Sequence, residues 1–109
     1  NFQLNYTTET AEKSIFEMRV KELFGLSFRA IRETQATVSF ELSSVGDILM
    51  IWVIDEAHKE SRHFDGIYAI NDYDSQKWPE LARNSENNYR AAKCHLIRIL
   101  QKAGGKCDE

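Results

Sequence analysis

The sequence predicts an α+β fold: a two-layer sandwich in which one helix, three or four antiparallel strands and a second helix follow one another. Three observations carry that expectation. Apolar residues recur with a helical period near each end of the chain, alternate with a period of two between, and fill every position of Ile48–Ile54, "ILMIWVI". Helices with one apolar stripe and a sheet needing cover bury one another in two layers. At 109 residues the chain has room for one core, so 1–109 reads as a single domain with an N-terminal arm at 1–8 and a flexible tail at 104–109.

The first helix is expected from Thr10 to Phe24, where Ile15, Phe16, Val20, Leu23 and Phe24 share one side. Glu9 and Glu12 suit the positive end of its dipole, Glu17 and Lys21 form a favourable pair, and Gly25 supplies a stop. After it the period becomes two. Leu26, Phe28 and Ala30 alternate with Ser27 and Arg29, and Val38, Phe40 and Leu42 alternate with Thr37, Ser39 and Glu41, the pattern of strands with one covered face. Ser44-Val45-Gly46-Asp47 reads as a turn. Ile48–Ile54 is the central strand, apolar on both faces and expected to be covered on both. Polar residues 55–62 connect it to a strand from Phe64 to Ile70, with Gly66 as a bulge.

Asn71–Lys77 is a loop, and Trp78-Pro79 opens the last helical region, since proline at a first helical position needs no N–H partner. Tyr89, Ala92, Leu96, Ile99, Leu100 and Ala103 form a stripe that closes at Gly104-Gly105. One helix from Trp78 onward would be about 36 Å long at 1.5 Å per residue, so a short turn, a break near Asn84–Asn88 and then the main helix are expected.

The longest apolar run, seven residues, is far below the roughly 18 needed to span a bilayer, and the chain reads as soluble, an intracellular setting ranking ahead of secretion. Beginning at Asn1, it reads as a processed protein or an excised domain. Cys94 and Cys107 are too few for a disulfide framework and too far apart for a Cys-x-x-Cys pair, though the glycines could bring the tail back onto the helix. The net charge of −3 hides an asymmetry: residues 1–76 balance to −6 and residues 77–106 to +5. A basic final third on an acidic body points to an anionic partner or to self-complementary assembly.

Trp52–His58, "WVIDEAH", comes nearest to a named motif. Asp55-Glu56-Ala57-His58 after an apolar run resembles motif II of DEAH-box helicases, which would imply magnesium at the aspartate and an attacking water at the glutamate. That chemistry needs a phosphate loop, G-x-x-x-x-G-K-[ST], and the glycines before Asp55, at 25 and 46, do not make one. His58, Glu60 and His63, flanked by Asp55, Glu56 and Asp65, match no zinc spacing. Asp72-Tyr73-Asp74-Ser75-Gln76 is similar to the start of a calcium loop, yet Lys77 replaces its glycine and Arg83 its bidentate glutamate. Cys94 and His95 are neighbours on a helix, pointing about 100° apart, and make no nucleophile–base pair. No catalytic residue, metal or cofactor is assigned, and the chain is read as a non-enzyme.

The expected function is therefore association with a protein partner or a second copy, through a sheet edge or the helical layer. Phe2 and Tyr6 of the arm and Tyr73 and Trp78 of the late loop are the candidate contact aromatics. The alternative is nucleic-acid binding. The helix–sheet–helix order with a basic last helix resembles double-stranded-RNA-binding domains, which would imply phosphate contacts from Arg90, Lys93, Arg98 and Lys102. No lysine cluster opens that helix, and the acidic body opposes phosphate approach.

Overall fold

The computed structural model describes residues 15–43, 45 and 47–104. Helix α1 (Ile15–Glu33) leads to strands β1 (Thr37–Ser43) and β2 (Ile48–Ile54), a one-turn 3-10 helix (Glu56–His58), β3 (Gly66–Asn71) and helix α2 (Pro79–Lys102). The strands form one antiparallel sheet in the order β1-β2-β3. This is the predicted α+β arrangement, with three strands among the described residues.

The alternation in the sequence becomes the two faces of the sheet. Val38 stands opposite Val53, Phe40 opposite Ile51 and Leu49 opposite Ile70, and these side chains point under the helices. Leu23 and Ala30 of α1 and Ala92, Leu96 and Ile99 of α2 close the core over them. On the other face Ser39, Trp52 and Ile67 share a rung, as do Glu41, Met50 and Ala69. No described element covers that face: Trp52 and Met50 stay half-buried and Ile67 is exposed. β2 is thus central, as its apolar run requires, but among the described residues a helical layer lies over one side of it and not the other.

Two expectations about the helices are corrected. Leu26–Ala30 is not a strand, and Gly25 does not end α1, which runs eight residues beyond it. Phe16, Val20, Leu23, Ser27 and Ala30 follow one another at intervals of four and three, a continuous helical stripe in which a serine takes an apolar place. Ser27 is buried rather than turned to solvent. The true end is built by Thr34, whose hydroxyl donates to the Ala30 carbonyl at 2.6 Å and accepts the Ala36 N–H at 3.0 Å.

Nor does α2 break near Asn84–Asn88; it is one helix of 24 residues. Ser85 explains why. It is 4% exposed, and its hydroxyl both accepts the Asn71 N–H at 2.9 Å and donates to the Asn71 carbonyl at 2.8 Å. Asn88, one turn on, donates its amide to the Ala69 carbonyl at 2.9 Å. The polar stretch that suggested a break is the face of α2 that binds the β3 backbone.

β3 begins at Gly66, opposite Val53, and the glycine is not a bulge within it. A Cβ there would stand 2.5 Å from the Tyr68 hydroxyl, so the absent side chain makes room for that ring. Before α2, the Asp74 carboxylate accepts the Gln76 N–H at 2.9 Å, within the loop the sequence predicts. The arm and residues 105–109, with Cys107, lie outside the described residues, as do Ser44 and Gly46 of the β1–β2 turn; Cys94 is a free, exposed thiol. Among the described residues no helix is long and apolar enough to cross a membrane.

Candidate functional site

Two regions concentrate polar groups. The first is the β1 edge. In an antiparallel sheet, alternate residues of an edge strand turn both main-chain groups away from the ladder. On β3 these are the odd-numbered residues, since Asn71 gives both its groups to Ser85 and Ala69 gives its carbonyl to Asn88. Carried through the β2 register, the same alternation turns the N–H and C=O groups of Val38, Phe40 and Leu42 outward on β1. No described residue bonds to them. α2 thus bonds one edge of the sheet at Asn71 and Ala69, and among the described residues the β1 edge is open.

Beside the open edge α1 has a second apolar stripe. Phe24, Phe28 and Ile31 are spaced four and three apart, and each is about half exposed. Phe24 stacks on Phe28 at 6.1 Å between ring centroids and meets Phe40 of β1 edge-on at 5.3 Å. Leu42, at 53% exposure, continues the apolar line along the strand. Aromatic surface and unpaired backbone thus lie side by side. The strand carries one charge, Glu41, and neither lysine nor proline to discourage pairing.

The second region is a polar chain joining β2, β3 and α2. His95, 4% exposed, has its Nε2 2.7 Å from the Asp55 carboxylate and its Nδ1 2.7 Å from the Tyr68 hydroxyl. A carboxylate only accepts, so Nε2 carries the proton, and in the neutral ring Nδ1 accepts from Tyr68. Every group on His95 is then satisfied. Asp55 also donates its backbone N–H to Asp65 at 2.7 Å, and the other Asp65 oxygen lies 2.6 Å from His58 Nδ1. The Asp55 N–H holds the Asp65 carboxyl below its ordinary range, against the opposing effect of burial and with help from His58. Burial pushes the Tyr68 hydroxyl up, partly countered by Arg98.

Asp55 and His95 line a cleft of about 540 Å³ between the 3-10 turn and the last turns of α2, with Glu56, Arg98, Ile99 and Lys102. This is where the DEAH-like stretch ends up. Asp55 and Glu56 line this cleft, but Asp55 is bonded to a buried histidine, and no phosphate loop stands nearby among the described residues. His58 and His63 meet ring to ring at 5.9 Å, and the described residues contain no group of three side chains able to hold a metal.

Of the predicted contact aromatics, Tyr73 and Trp78 fall among the described residues. Phe2 and Tyr6 lie outside the described residues. Tyr73 is half-buried against a small cavity near the start of α1, and Trp78, 53% exposed, caps α2 without lining that cavity. Of the four basic residues, Arg90 pairs with Glu86 at 2.6 Å and Lys93 with Glu22 at 2.8 Å. Tyr89 donates to Glu22 as well, and Arg19 lies over its ring at 4.6 Å. Burial raises Glu22, but its bonds with Lys93 and Tyr89 outweigh that and hold its carboxyl below the usual range. Arg98 lines a shallow surface pocket with Arg19, Arg90 and Lys93 and also reaches the cleft, which Lys102 lines as well.

Sequence reasoning missed Phe24 and Phe28, which it assigned to a core helix and a strand, and His95, which it set aside as a neighbour of Cys94. Extending the α1 stripe past Gly25 would have exposed the first pair. The His95 partners, 27 and 40 residues away, left no local signal. No protein-family model, no curated protein and no solved structure matches the chain.

Proposed function

We propose that this domain is a non-catalytic association module that pairs with a second copy of itself through β1. The observation that carries the reading is the edge at Val38, Phe40 and Leu42, open among the described residues and flanked by the half-exposed Phe24 and Phe28, while Ser85 and Asn88 bond the opposite edge at Asn71 and Ala69. Self-pairing of β1 is chemically consistent. Antiparallel to its copy about Phe40, it sets Val38 opposite Leu42, Phe40 opposite Phe40 and Ser39 opposite Glu41, so the outward groups meet, the inner face stays apolar and no like charges oppose. The product is a continuous six-stranded sheet with the two phenylalanine stripes brought toward each other. Completing the burial of one half-exposed phenylalanine contributes about 1 kcal/mol.

Phosphate binding along α2 ranks below this, because Arg90 and Lys93 are already neutralised by glutamates.

Sedimentation across a concentration series tests the proposal. The wild-type chain should pass from 12.6 kDa to twice that mass as concentration rises. Leu42→Pro removes an outward N–H, a place where an edge strand tolerates proline, and should remain monomeric. Phe28→Glu touches no ladder bond and sets its carboxylate beside Arg32, so it should stay folded and also lose the dimer. A wild-type chain that is monomeric throughout, or a dimer indifferent to both variants, overturns the reading.

A further inference from the structure

We infer that the cleft between the 3-10 turn and the end of α2 binds a small zwitterion, a molecule with an ammonium group and a carboxylate or phosphate. Its walls carry opposite charge. Asp55 and Glu56 come from the β2–β3 connection, and Arg98 and Lys102, one turn apart on α2, come from the other side. All four line one cleft, yet no ion pair or hydrogen bond among the described residues joins Asp55 or Glu56 to Arg98 or Lys102. The cleft holds them apart, and a ligand bearing both charges satisfies both walls at once.

Each simpler occupant leaves one wall opposed. An anion that suits Arg98 and Lys102 meets two carboxylates, and a cation that suits Asp55 and Glu56 meets two basic groups. Asp55 is well placed for the ammonium. Its Oδ1 is fixed by His95, which is itself held by Tyr68, while its Oδ2 has no partner among the described residues. An acceptor oriented from behind by a buried imidazole loses little freedom on binding. Ala36, Ala57 and Ile99 supply the apolar surface between the charged walls. The volume of about 540 Å³ lies within the range of small-molecule sites.

The test is a nitrogen-15 amide titration of the full chain with the common L-amino acids in one arm and O-phosphoethanolamine in the other, at constant ionic strength. Butylamine, acetate and inorganic phosphate serve as single-charge probes. At least one zwitterion should shift the amides of Ala36, Ala57 and Ile99 saturably by about 10 mM, and the productive arm tells carboxylate from phosphate. Arg98→Gln and Glu56→Gln, both at exposed positions with no described partner, should each weaken that binding about tenfold with unchanged amide dispersion. The inference fails if no zwitterion saturates by about 10 mM, if a single-charge probe binds as well, or if both variants bind like the wild type.

Discussion

Replacing Ser85 with alanine should detach α2 from the edge of β3. The serine is almost fully buried, and its hydroxyl makes two hydrogen bonds to one residue, accepting from the Asn71 N–H and donating to its carbonyl. Alanine removes both and adds no strain, since it is the better helix former. A hydrogen bond contributes about 0.5–1.5 kcal/mol net, and a stranded buried group costs about 1–3 kcal/mol. Asn71 is half-buried and regains part of its loss from water, which puts the destabilisation at about 2 kcal/mol. For a domain of this size that lowers Tm by about 10 °C. Urea unfolding followed by circular dichroism gives the free energy, and hydrogen exchange at the Asn71 amide reports the local opening. A loss below about 0.5 kcal/mol would refute the claim that this hydroxyl seals the strand.

Ser27→Ala should be neutral or stabilising by up to about 1 kcal/mol, because its buried Oγ has no hydrogen-bond partner and alanine favours the helix. The same urea assay checks it, and a clear loss of stability would mean that the hydroxyl is satisfied after all. Asp65→Asn should flatten the acid side of the stability profile. The folded Asp65 binds its proton less tightly than the unfolded chain, so its contribution is complete above the ordinary carboxylate value of 3.8 and is lost as pH falls through the lower folded value. Thermal unfolding between neutral pH and strong acid measures this, and an unchanged acid limb would show that the Asp55 N–H does not favour the ionised carboxylate.

The fold class was legible because period is a local property. Alternation at Val38, Phe40 and Leu42 and the unbroken run of β2 each require only a few neighbouring letters, and both became the elements they predict. The boundary errors came from residues whose role is set by distant partners. Gly25 looks like a stop, yet the α1 stripe continues because Ser27 and Ala30 pack against the core. Asn84–Asn88 looks like a break, yet Ser85 and Asn88 there bind β3.

Sequence alone determined that this chain makes two amphipathic helices and an antiparallel sheet, and that it lacks a phosphate loop, because composition and spacing act over one or two turns of chain. Tertiary structure decided which sheet edge is open among the described residues, that a phenylalanine stripe borders it, and that His95 links Asp55 to Tyr68 across 40 and 27 residues. Those facts depend on where α1 and α2 settle over the sheet. That placement comes from burial summed over the whole core, and no short stretch of letters encodes it.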